Sequence, residues 1–259
     1  MIDIVVEWAK AALLETQEYV RLCGAVFRGF VTRPFYHHDV IEQFDIIGVG
    51  SLTVVILTGL FTGAVLALQT GITLDQFGAR SVVGRLVSAS MVKELGPVLT
   101  ALMVAGRVGS GIAAELGSMM VTEQISALRA LGTDPVRKLV APRVLAGFFM
   151  APVLTVIADF VGIFGGWMVA HYRLQVETGL YWSSVLQGLY MQDLWMGLVK
   201  PFVLGFVIVT IACHVGLRTT GGTQGVGKAT TKAVVAGSVG LIAADYLVTQ
   251  ILITLLYPK

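Results

Sequence analysis

Long apolar runs alternate along this chain with short polar connections. Residues 46–74 contain no charged side chain, which exceeds the roughly 20 apolar residues needed to cross a bilayer core of about 30 Å. That run is expected to span over 46–71, with further spans at 95–118, 139–170, 194–217 and 233–257. Each is expected to be helical, because a backbone facing lipid must satisfy its own hydrogen bonds. Ahead of them, residues 3–30 place Asp3, Glu7, Lys10, Gln17, Arg21 and Arg28 at helical spacing, with Val6, Trp8, Ala9, Leu13, Val20, Phe27 and Phe30 largely on other faces. This pattern fits an amphipathic helix lying in the membrane interface, or a soluble helix packed on a partner. The predicted fold is an all-α polytopic membrane protein forming a single domain over 1–259. Its interfacial helix falls within 1–40 and its five-helix transmembrane bundle within 41–259.

One connection differs from the rest. Residues 118–135 read SMMVTEQISALRALGTDP, with Val121, Ile125 and Leu128 on one face and Glu123, Gln124 and Arg129 mostly away from it. Gly132 is placed for a left-handed C-cap and Pro135 prevents continuation. A helix over 119–131 is about 20 Å long, too short to span. It is expected to lie flat at the surface between the second and third spans, either as a lever into a cytoplasmic motor or as a plain connector resting on lipid.

Basic residues set the expected orientation. With the N-terminus inside, cytoplasmic segments hold Lys10, Arg21, Arg28, Arg33, Arg129, Arg137, Lys138, Arg143, Arg218, Lys228 and Lys232, and outer segments hold only Arg80, Arg85, Lys93, Arg173 and Lys259. The positive-inside bias favours a cytoplasmic N-terminus and an outer C-terminus. Composition agrees with a membrane protein: 56% hydrophobic and 13% charged residues, with a mean hydropathy of +0.82. The net charge of +2 is too small and dispersed for nucleic acid. Asp3 and Glu7 precede any basic residue and no small-residue cleavage pattern follows, so uncleaved insertion is expected. Cys23 and Cys213 read as small buried apolar residues.

Small residues in the second span form two rows, Ala105, Gly109, Ala113, Gly117 and Gly106, Ser110, Ala114, Ser118. Gly59 and Gly63 give the first span a similar face. Such ridges allow close helix approach, within one protomer or across a homodimer seam. Arg107 and Glu115 share a face with Gly111 between them, about 12 Å apart along the axis. A charge near the bilayer centre costs roughly 2.5–3.5 kcal/mol, so it is expected to face other helices. Asp159 and Asp245 are the expected acidic partners of Arg107, forming a structural lock or part of a proton or substrate pathway.

Other motifs carry less. Residues 222–228 have P-loop spacing, but Ala229 stands where magnesium needs a Ser or Thr, and no strand and helix flank it, so a glycine-rich cytoplasmic turn is expected. His37 and His38 beside Asp39 do not share a helix face and lack a second ligand cluster. Ser183 or Ser184 with His171 and Asp159 lacks a nucleophile elbow. Neither a catalytic nor a metal site is expected.

The stretch KELGPVLTALMVAGRVGSGIAAELGSMMVTEQISALRALGTDPVRKLVAPRVLAG (93–147), together with GGTQGVGKATTKAVV (221–235), closely resembles the MlaE/YrbE permease family of bacterial lipid-transporting ABC systems. The likeness covers nearly the whole chain. It implies a non-catalytic, homodimeric permease of the bacterial inner membrane, with ATP and magnesium bound by separate ABC ATPase subunits rather than by this chain. A STAS-domain subunit and a hexameric MCE-domain subunit are the further partners implied. The implied substrate is phospholipid, moved between inner and outer membranes to maintain outer-membrane lipid asymmetry. By motif position the resemblance makes the 119–134 segment a coupling helix, with Thr122, Glu123, Gln124, Arg129 and Asp134 facing the ATPase. It places Lys93 and Glu94 beside the lipid cavity, and Leu66, Thr73 and Phe77 in the pocket lining, although Thr73 brings a hydroxyl to an apolar position. A lipid-modifying membrane enzyme and a passive scaffold are the competing classes.

Overall fold

The computed structural model describes residues 2–31 and 36–256, without the side chains of residues 2–6, 8–9, 11–12 and 31. Expectations that rest on the side chains of Asp3, Val6, Trp8 and Ala9, on Arg33, on residue 257 or on Lys259 therefore lie outside the described residues. Among those described, every regular element is helical, and five segments are long and apolar enough to cross a membrane.

Helix α1 (Ile2–Val31) precedes the first span, His37–Asp75, which is α2 (His37–Ile47), a tight turn at Val49–Ser51 and α3 (Leu52–Asp75). The second span, Arg80–Val121, stacks α4 (Val83–Ser90), α5 (Gly96–Val104) and α6 (Ser110–Val121) through two wide π-helical turns, Met91–Leu95 and Ala105–Gly109. After α7 (Gln124–Ala130), the third span runs through another wide turn at Val136–Val140 into α8 (Ala141–Tyr172). A short helix, α9 (Thr178–Gly188), leads to the fourth span, α10 (Met191–Gly216), and the fifth, α11 (Gly222–Leu256).

Helix α8 is the central post, packing on α3, α10, α5 and α2. Its tightest neighbour is α3, where a methyl group added at Gly63 would sit 1.8 Å from the Gly162 carbonyl oxygen and one at Gly59 would sit 2.9 Å from that of Ala158. Lipid tails supply little hydrophobic drive between helices, so this backbone-to-backbone packing is the main source of cohesion. Gly59 and Gly63 are therefore committed within the protomer. Gly109, Ala113 and Gly117 likewise face α10 and the turn after it, through Ala212, Gly216 and Thr219. The neighbouring row is partly open: Gly106 has room for a methyl group, Ser110 and Ala114 are half-buried and Ser118 is exposed, and beside the row Gly111 is open and exposed.

The fifth span is peripheral. It buries one stripe, Ala229, Ala233, Gly237 and Leu241, and exposes Val235, Val239, Ile242 and Tyr246. Its helix starts at Gly222, so the glycine-rich stretch is not the turn expected from sequence. The turn occupies 217–221, and glycines 225 and 227 are already helical.

Helix α1 is tied to the flank of the bundle at the end where α7 lies. Tyr19 Oη and Thr210 Oγ1 share a hydrogen bond of 2.7 Å, and the Phe27 and Phe206 rings stack at 5.5 Å. Glu18 pairs with Arg218 at 2.6 Å and Glu15 with Lys232 at 3.1 Å. The opposite flank exposes Leu13, Leu14 and Val20.

Candidate functional site

At the other end of the bundle, charged side chains converge inside apolar helices. Beyond the wide turn Met91–Leu95, the residue four on from Lys93 is Pro97, which has no N–H to offer, and this leaves the Lys93 carbonyl without its α-helical donor. Gly197 lets α10 come close, since a methyl group there would lie 2.5 Å from the Val92 carbonyl oxygen. One turn on, the fully buried Lys200 ammonium donates to the Lys93 carbonyl at 3.0 Å and to Glu94 Oε2 at 2.6 Å. It also lies 3.5 Å from Asp245 Oδ1 of α11, an ion contact without a hydrogen bond. Lys93 itself pairs at 2.8 Å with Asp193, whose other oxygen accepts from the Tyr190 backbone N–H and caps α10. Three spans are thus cross-linked by charges of alternating sign. Glu94 remains 44% exposed while Lys200 is fully enclosed, so one carboxylate of the group reaches the surface.

That surface is apolar. A groove of about 370 Å³ is lined by Phe61, Thr62, Val65, Leu66, Gln69 and Leu95, and Leu95 closes the same turn that carries Lys93 and Glu94. Of the expected pocket residues, Leu66 is therefore brought beside the charged pair. Thr73 lies on the same stripe of α3, two turns further on, exposed, with its hydroxyl bonded to the Gln69 carbonyl at 3.0 Å. Phe77 follows the end of α3 and is 77% exposed. The sequence reading missed Lys200 and Asp193. A lone lysine inside an apolar run, directly before a proline, was the available signal.

The expected ion pairs of Arg107 do not form. Its guanidinium donates to the Ile46 carbonyl and to Ser51 Oγ, both at 3.0 Å. It thereby staples the break between α2 and α3, where the last carbonyls of α2 offer the negative end of a helix. Glu115 pairs instead with the buried Arg143 of α8 at 2.7 Å, and Asp245 with Lys200. Asp159 sits against Gly96, its Oδ1 buried without a hydrogen-bond partner. These four residues belong to separate contacts and not to one network. Ser183, Ser184, His171 and Asp159 do not assemble either: the two serines bond to Leu180 and Arg85 backbone, and His171 faces Thr178.

The segment after the second span is shorter than expected. α6 continues to Val121, the chain breaks at Thr122 and Glu123, and α7 has 7 residues, about 10 Å of rise. Glu123 adopts a left-handed conformation with φ of 60°. Gly132, at φ 75°, supplies the expected C-cap: its N–H bonds to the Arg129 carbonyl and that of Thr133 to the Leu128 carbonyl, a Schellman motif. Ile125 is buried, Val121 and Leu128 are half-buried, and Glu123, Gln124 and Arg129 are exposed. Thr122 is bonded to the Ser118 carbonyl and to Gln124. Asp134 caps the third span through the Val136 N–H at 2.9 Å.

Five long apolar helices, with most of their interior charges paired helix to helix, define a multi-pass membrane protein. The family model "Permease MlaE" matches residues 40–251, and the chain belongs to that family of ABC-transporter permeases. A probable ABC transporter permease protein of Rickettsia conorii is 44% identical over 227 residues, 88% of each chain. The intermembrane phospholipid transport system permease protein MlaE of Haemophilus influenzae is 37% identical over 213 residues, 82% of each chain. The chloroplastic protein TRIGALACTOSYLDIACYLGLYCEROL 1 of Arabidopsis thaliana is 33% identical over 229 residues, 88% of this chain and 65% of that one. A permease subunit of this kind is not catalytic by itself.

Proposed function

We propose that two copies of this chain form a phospholipid cavity in the bacterial inner membrane and that separate ATPase subunits, holding ATP and magnesium, drive it. The partly open face at Gly106, Ser110 and Gly111 and the groove along Leu66 are the faces offered to the second copy. Leu66, Thr73 and Phe77 receive acyl chains, and Lys93 and Glu94 meet the head group. The N-terminus and α7 are cytoplasmic, and the C-terminus is periplasmic, facing a hexameric MCE-domain subunit. A STAS-domain subunit joins the ATPases. The transported lipid serves the asymmetry of the outer membrane; the name of the Haemophilus relative supports phospholipid as the substrate.

The observation carrying this reading is α7: a short helix held at both ends, anchored by buried Ile125, with Thr122, Glu123, Gln124 and Arg129 on its outer side and Asp134 fixing its exit. Leu131 is the one large apolar side chain that the segment leaves exposed, fewer than a connector resting on lipid would turn outward. Glu123→Lys is expected to lower the ATPase activity of the assembled complex several-fold while the permease still folds in the membrane. Unchanged ATPase activity in that variant would refute the docking of α7.

A further inference from the structure

The end of the bundle that carries α7 holds a second cavity, of about 600 Å³, between α1, the end of α10 and the start of α11. Arg218, Lys228 and Lys232 line it, together with His214, Thr219 and Thr220. Facing these cations is one lining carboxylate, Glu15, which Lys232 already engages at 3.1 Å. Glu18 holds Arg218 from outside the lining. Lys228 is exposed and has no acidic partner among the described residues. Away from the cations the wall turns apolar, through Ile211, Val215, Ala229 and Ala236. An adjoining groove of about 650 Å³ extends along Lys228, Thr231, Lys232 and Val235 of α11.

We propose that this cavity binds the phosphate group of a membrane glycerophospholipid, with an acyl chain lying along α11. A recess that combines cations and hydroxyl donors with an apolar wall of Ile211, Val215, Ala229 and Ala236 matches a molecule with one anionic ester and a hydrocarbon tail. The excess of cationic over anionic lining groups calls for an anion, and the position at the bundle's end puts the cations level with a bilayer's head groups. The glycines of the stretch 221–228 have a role in this arrangement. Helical and without side chains at 225 and 227, they keep the first turns of α11 slim, and Lys228 reaches the recess from the next turn. The site lies at the opposite end from the transport groove, so its failure leaves the transport reading standing.

Hydrogen–deuterium exchange on the purified full chain in dodecylmaltoside locates the binding. Dihexanoyl phosphatidylglycerol is expected to protect peptides covering 211–236 and 12–22 saturably, whereas dihexanoylglycerol, lacking the phosphate, leaves them unprotected. Lys228→Gln or Arg218→Gln is expected to require about tenfold more lipid for the same protection, the loss of one charge-assisted hydrogen bond. Lys10→Gln, outside the cavity, matches the wild type. Lys228 is exposed and glutamine is nearly as good a helix former, so that variant tests binding and not folding. Equal protection by dihexanoylglycerol, or an unshifted Lys228→Gln curve, overturns the proposal. Equal protection by inorganic phosphate at the same concentration reassigns the cavity to a free anion and overturns the lipid.

Discussion

Replacing Lys200 with methionine keeps the length of the buried stem and removes the charge that three helices share. Glu94, 44% exposed, can take water in place of the ammonium, but Asp245 is only 16% exposed and its Oδ1 has Lys200 at 3.5 Å as its one compensating charge. Breaking a buried pair from one side costs about 3–5 kcal/mol, and the hydration of Glu94 places this case near the lower figure. Asp245→Asn alone leaves Lys200 its contacts to Glu94 and the Lys93 carbonyl, so a loss of about 1 kcal/mol is expected. The double variant Lys200→Met with Asp245→Asn has no orphaned charge in α11 and should recover about 2 kcal/mol relative to additivity. Unfolding in mixed micelles by increasing dodecyl sulfate, followed by far-ultraviolet circular dichroism, measures all three. Strictly additive losses would refute the claim that Lys200 is what makes Asp245 tolerable inside the bundle.

Gly63→Leu should separate α3 from α8, because no rotamer avoids the Gly162 carbonyl; the measure is loss of a monodisperse folded peak on size-exclusion chromatography in detergent, and a wild-type profile would show that the approach is looser than described. Burial pushes the Cys23 thiol in α1 above its usual range, against a smaller opposing effect of its hydrogen bond with Tyr19. Its thiolate fraction at pH 8 is therefore low, so alkylation by N-ethylmaleimide is expected to be slower than that of the unfolded chain, with the rate still rising above pH 9. Lys232→Gln, by freeing Glu15, should accelerate that alkylation at fixed pH; an unchanged rate would mean that the ion pair does not hold α1 in place.

The five spans were legible because lipid demands long uncharged runs, and the sequence shows them directly. Their ends were not. His37 to Asp45 are too polar to read as part of a membrane helix, yet packing on α8 keeps them helical; glycines 222, 225 and 227 read as a turn, yet they lie in the first turns of α11. The short helix after the second span was recognisable from its apolar spacing, its glycine cap and its proline, whereas its division at Glu123 depends on a left-handed residue that no pattern announced. Partners were the least legible part. Opposite charge suggested Asp159 or Asp245 for Arg107, but a guanidinium is satisfied equally by a helix-end carbonyl and a serine hydroxyl, and the break at Val49–Ser51 provides both. Lys200 and Glu94 stand 106 residues apart, a pairing that only the packed helices reveal.

The wide turn at Met91–Leu95 makes the second span sensitive to residue count. One surplus residue in a helical turn advances everything beyond it by about 100° around the axis. Deleting a single residue there would leave hydropathy and span length almost unaltered, yet would wheel Lys93 and Glu94 out of phase with α5 and α6 and away from Lys200. In this helix, position along the membrane and direction of view are set independently, and a loss of one amino acid would do more harm than many substitutions.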